Sequence, residues 1–163
     1  MGSHKATAVL KWRMQLTDPE LIPLRFTLWA DQEDDETLSI SLEYNHGNPA
    51  FNLRDVVLSI PCPNPPSVGA CSSNYTYDDH ARVLKWQVGE VNSEINSSGN
   101  IEFSVEAESA SKCHPIAISF ESEQTFSGMN VDAVSRASGG EEVEFISDAS
   151  LTATKFHIVA GDV

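Results

Sequence analysis

The chain has 163 residues, 40% of them hydrophobic, which is enough to build the core of one domain. Lys and Arg number 10 against 24 Asp and Glu, a formal net charge of −14. A surface of that sign repels nucleic-acid phosphates and anionic lipid headgroups, so no nucleic-acid partner is expected and any membrane role is expected to be indirect.

MGSH at residues 1–4 reads as a tag remnant, and neither a signal-peptide pattern nor an apolar run of about 18 residues is present. From there the hydrophobic period is two. TAVLKWRMQL (7–16) places Leu10, Trp12 and Met14 on one face, and PLRFTLWA (23–30) follows after Asp18-Pro19-Glu20. In TLSISLEY (37–44), Leu38, Ile40, Leu42 and Tyr44 oppose Ser39, Ser41 and Glu43. RDVVLSI (54–60) runs into Pro61, Pro63, Pro65 and Pro66, which lack N–H donors and cannot continue a central ladder. The prolines are read as a stiff crossing that redirects the chain toward YTYDD and the next strand. RVLKWQV (82–88), IEFSVEA (101–107), PIAISFE (115–121), GMNVDAV (128–134), EEVEFIS (141–147) and LTATKFHIV (151–159) complete about ten candidate strands. Turn signals stand between them: DQEDDE, NHGNP, the prolines, NSSGN and ASGG. One-face-wet strands with regular breaks predict an all-β, antiparallel sandwich.

Little in the chain points to catalysis. His46, His80, His114 and His157 lack His or Cys partners at zinc-site spacing. Cys113 and His114 are adjacent, so on a strand they would face opposite ways. No nucleophile elbow or phosphate-cradling loop is found, and no enzyme activity, metal or cofactor is expected. DQEDDE lacks the spaced ligands of a calcium loop and reads as a solvated hairpin. Cys62, Cys71 and Cys113 are odd in number, which favours a reducing compartment, while a Cys62–Cys71 bridge across the prolines stays open. Asn74 and Asn96 begin formal glycosylation triplets, which matter only in a secreted protein. Trp86, alternating with Leu84 and Val88, is expected in the core, as is Trp12. Trp29 is the tryptophan expected to be partly exposed. Arg13, Arg25, Arg82 and Lys85 are the basic residues that, with Trp29, form the candidate peptide-binding set.

VLKWRMQ, an acidic linker and IPLRFTLW, then NLRDVVLSIP, YTYDDHARVLKW, NSSGNIEFSVEA, HPIAISFESEQTFSGMNV and LTATKFHIV resemble, in that order, the mu-homology domain of the delta-subunit family of the coatomer (COPI) coat. The resemblance implies a two-part β body in which one sandwich is inserted into another. Residues 23–122 would be the inserted subdomain. Residues 5–16 and 128–160 would be strands of the other, making 5–163 a partial domain that lacks the family's opening strands. It further implies a cytoplasmic coat module, peripheral on Golgi membranes and COPI vesicles, acting in retrograde Golgi-to-ER transport. Its partners would be other coatomer subunits, and tether or regulatory proteins bearing tryptophan-containing acidic peptides. The alternatives are a clathrin-adaptor or FCHo-type mu-homology domain, or an unrelated extracellular Ig-like sandwich. A sandwich short of strands is also expected to complete itself by pairing with a second copy or by folding VLKWRMQ back over 128–159.

Overall fold

Alternation of apolar and polar residues becomes two stacked sheets in the computed structural model, which describes residues 18–159. A short 3-10 turn, Pro19–Leu21, is capped by Asp18, whose carboxylate accepts from the Glu20 amide at 2.9 Å. Nine strands follow: β1 Leu24–Gln32, β2 Thr37–His46, β3 Leu53–Pro61, β4 Ser67–Cys71, β5 Asn74–Asp78, β6 Val83–Val91, β7 Ser98–Glu106, β8 Ile116–Ser122 and β9 Leu151–Ile158. One sheet has the order β1-β2-β7-β4 and the other β5-β6-β3-β8-β9, with every pairing antiparallel. The expected β-sandwich is therefore present.

The core is the sum of the inward faces. Leu38, Ile40, Leu42 and Tyr44 of β2 and Ile101, Phe103 and Val105 of β7 meet Leu58 and Ile60 of β3, Leu84 and Trp86 of β6, and Ile116, Ile118 and Phe120 of β8. Trp86 is fully buried, as its alternation predicts. Its indole N–H donates to Ser73 Oγ at 2.8 Å, and its ring lies 5.5 Å from that of Tyr44 across the sandwich. The Tyr44 hydroxyl in turn donates to the Asn96 carbonyl at 2.9 Å. Gly99 is required for this arrangement: a Cβ there would stand 2.7 Å from the Tyr44 ring. NSSGN thus opens β7 with a glycine chosen for close approach, although its composition signals a turn.

The proline segment leaves the β3 sheet and crosses to the other one. Pro61 is the last residue of β3, and Cys62 adds one further backbone bond, to Arg82 at 2.9 Å. Asn64 Nδ2 then donates to the Glu106 carbonyl at the end of β7, at 2.9 Å, and anchors the crossing on its new sheet. The landing point differs from the expected one, because the chain first forms β4 and only then returns as β5. Both strands are mostly exposed edge strands, so no buried alternation marks them.

Other expectations are corrected. GMNVDAV and EEVEFIS are not strands; they hold a lone bridge, Ser135–Glu142, and a turn through 137–139. Their alternation has no neighbouring ladder to join among the described residues. LTATKFHIV is a strand as expected, and it pairs along β8 in the five-stranded sheet. Cys62 and Cys71 are free thiols, and buried Cys62 contacts buried Cys113 instead. A hydrogen bond with Cys113, together with burial, pushes the Cys62 thiol up. Cys113 lies on a 3-10 turn, Ala110–Cys113, rather than on a strand. The predicted strand at 7–16, with Trp12, lies outside the described residues.

Two predictions follow from the aromatic pair. Trp86→Ala should lower the unfolding free energy by roughly 3–5 kcal/mol, read from urea denaturation with an unchanged m-value. Burial raises the Tyr44 phenol from an ordinary 10.0 to about 12. The folded state therefore holds a proton that the unfolded state releases in between. Stability from the neutral phenol should be complete below pH 10 and decline as pH rises toward about 12. Tyr44→Phe should remove that decline, measured as the difference between the two proteins' denaturation midpoints across this range.

Candidate functional site: the outer face of β1

Strand β1 forms one edge of the four-stranded sheet, and its residues divide by face. Phe26, Leu28 and Ala30 turn inward and pack against the core, while Arg25, Thr27, Trp29 and Asp31 turn outward. Trp29 is 49% exposed, a large apolar ring on an otherwise polar face. Its cross-strand neighbour is Ser41, which is opposite Glu102 on β7, so the sheet beyond the indole is small and then acidic. Arg25, four residues earlier on the same face, pairs with Glu20 at 2.9 Å. Both partners are largely exposed, so the bond is weak and Arg25 is available to a ligand.

The acidic hairpin at the end of β1 is an ordered turn. Asp34 Oδ1 accepts from the amides of Glu36 at 2.9 Å and Thr37 at 2.6 Å. These bonds, led by that from Glu36, hold the Asp34 carboxyl below its usual range. Gln32 Nε2 adds bonds to the Asp34 carbonyl at 2.9 Å and the Thr37 carbonyl at 3.3 Å. Asp34 is thus occupied with its own backbone. Among the described residues no three His, Cys, Asp or Glu side chains gather as a metal site.

The predicted set does not converge. Trp29 and Arg25 share the outer face of the four-stranded sheet. Lys85 lies on the outer face of β6 in the opposite sheet, and Arg82 sits in the β5–β6 turn with a positive φ of 55°. Arg13 lies outside the described residues. Which sheet receives which strand separates these residues, and local sequence does not carry that information. Sequence reasoning also missed the hollow of about 860 Å³ beside the closing segment, lined by Glu142, Val143, Glu144, Phe145 and Ile146. The signal for it was legible as apolar residues alternating with carboxylates, but it was read as a strand.

The fold can now be placed among known proteins. The model of the adaptor complexes medium subunit family matches residues 4–158, and the chain belongs to that family. Coatomer subunit delta of Arabidopsis thaliana is 32% identical over 156 residues, covering 93% of this chain and 29% of that protein. The probable coatomer subunit delta of Caenorhabditis elegans is 31% identical over 153 residues, with the same two coverages. The chain therefore spans less than a third of these curated relatives. A solved yeast delta-COP-I mu-homology domain, complexed with a Dsl1 WxWxV peptide, aligns with a TM-score of 0.64 at 21% identity, covering 87% of this chain and 59% of that one. The fold is that of a mu-homology domain.

Trp29 is half exposed and stands outside the core, so Trp29→Ala should lower the unfolding free energy by only about 1 kcal/mol, well short of the loss at Trp86. Thermal denaturation of the purified variant checks this.

Proposed function

We propose that this chain is the peptide-binding, non-enzymatic part of a vesicle-coat subunit serving COPI retrograde transport from Golgi to ER. It works in the cytoplasm, on Golgi membranes and COPI vesicles, and reaches the membrane through other coatomer subunits. The similarity to coatomer delta over 93% of the chain carries this reading. The acidic surface agrees with indirect membrane contact. In this reading residues 23–122 form the inserted sandwich, and 5–16 with 128–160 supply strands of the other subdomain.

The ligand is a tryptophan-containing acidic peptide from a tether or regulatory protein. The solved yeast relative supports that class, being complexed with a WxWxV peptide. On this chain the peptide lies along β1, with an indole against Trp29 and its acidic flank toward Arg25, away from Glu102. Edge strands accept added peptides through their free backbone groups, and a half-exposed tryptophan is a typical anchor. Fluorescence polarisation with a labelled WxWxV-type acidic peptide tests the site. Trp29→Ala and Arg25→Glu should each weaken binding about tenfold or more, equivalent to about 1.4 kcal/mol. Lys85→Glu, on the opposite face, should leave binding unchanged. If only Lys85→Glu weakens binding, the peptide occupies the other sheet, and if the peptide does not bind at all, the coat-module reading loses its ligand.

A further inference from the structure

Between β8 and β9 the chain forms a narrow exposed hairpin with Ser138 at its tip. The Val143 amide donates to the Val134 carbonyl at 2.8 Å, and the Arg136 amide donates to the Glu141 carbonyl at 2.9 Å. The Gly140 amide closes the turn on the Arg136 carbonyl at 3.2 Å. Gly139 and Gly140 supply the positive φ values, 108° and 69°, that bend it. Every residue from 131 to 150 is exposed, so these few backbone bonds stand in water and local opening costs little.

The chain beyond Ser138 reads Gly139-Gly140-Glu141-Glu142-Val143-Glu144, which puts carboxylates three, four and six positions after the hydroxyl. The two glycines between them carry no side chain, so a basic enzyme cleft can reach the hydroxyl and the carboxylates together. We infer that Ser138 is the phosphoacceptor of an acid-directed protein kinase. The terminal phosphoryl group of ATP passes to Ser138 Oγ. A new O–P bond forms, the bond to the ADP oxygen breaks, ADP leaves and the hydroxyl proton is released. Thr76 is the other described Ser or Thr with a carboxylate three positions on, at Asp79. It is a poor acceptor by comparison. It lies in β5, laddered to β6 from Asn74 to Asp78, with Lys85 opposite it. Its ladder would have to open, and the lysine repels a basic cleft.

The phosphate also changes the hairpin. Arg136 holds Glu141 at 3.6 Å, a weak pair because both side chains are largely exposed. Phosphoserine carries about −1.5 to −2 charges, against −1 for the carboxylate. Arg136, two residues away, exchanges Glu141 for the phosphate. The freed Glu141 then joins Glu142 and Glu144 beside the exposed Val143 and Phe145. Modification thereby sets the charge of this surface while the sandwich is unaltered.

The full chain incubated with ATP and purified casein kinase 2, an acid-directed serine/threonine kinase, tests the assignment by intact mass and peptide mapping. One phosphoryl group, about 80 Da, should be gained, and it should map to Ser138. Ser138→Ala should abolish the gain, and Thr76→Ala should leave it unchanged. Glu141→Lys with Glu142→Lys should slow it at least tenfold, whereas Arg136→Gln should not slow it. In the phosphorylated protein, the 31P titration midpoint should rise by about half a pH unit on Arg136→Gln, because the cation favours the dianion. Near-UV circular dichroism of buried Trp86 checks that the sandwich is intact in each variant. No mass gain, a gain that persists in Ser138→Ala, or a rate indifferent to the charge reversal would overturn the acceptor assignment. A midpoint unmoved by Arg136→Gln would overturn the exchange of partners.

Discussion

The contact between Tyr44 and Trp86 is the interaction on which the remainder of the sandwich depends. It links β2 of one sheet to β6 of the other, and both rings are tied at their polar ends. The indole is bound to Ser73 in the β4–β5 connection, and the phenol to Asn96 in the β6–β7 connection. A buried aromatic with an unmatched N–H or O–H would be a liability, so these bonds fix the connections as firmly as the core fixes the strands. Asn96 adopts a positive φ of 48°, a conformation that asparagine tolerates better than most residues. One pair of rings thus sets the sheet spacing, two loops and the need for Gly99.

Changing sheets is the second constraint. A strand that leaves one layer for the other must surrender its ladder without leaving buried amides unpaired. The prolines meet this by having no amide hydrogens to satisfy, and Cys62 and Asn64 supply the remaining anchors. Tyr77 adds a hydroxyl bond to the Cys62 carbonyl at 3.2 Å. β4 and β5 are then the outermost strands on that side of their sheets, five residues each. Edges this short resist further pairing.

Seven of the strands could be read from period two because each has one face in the core, as in Leu38-Ile40-Leu42-Tyr44 and Leu84-Trp86-Val88. SVGAC and NYTYD escaped notice because edge strands with little burial need no alternation, and their Gly, Ser and Asn resemble loop composition. The reverse error arose at GMNVDAV and EEVEFIS, where alternation occurs without a neighbouring strand among the described residues. Periodicity reports what a face would bury, and a ladder also needs a partner. The site was legible in part for the same reason. The exposure of Trp29 follows from its own strand, whereas the distance between Arg25 and Lys85 depends on sheet order, which arises from long-range pairing.

Phe26 near the start of β1 stacks 6.3 Å from Phe156 near the end of β9. The two ends of the sandwich therefore leave it side by side. Tension applied through those ends would not shear whole ladders at once; it would peel β1 from β2 and β9 from β8, bond after bond, as a zipper opens. Sequential rupture needs far less force than loading all the bonds of a strand together. The body built on β3, β6 and Trp86 would stay closed while its outer strands yielded, which makes the domain mechanically compliant at its attachments and stiff at its centre.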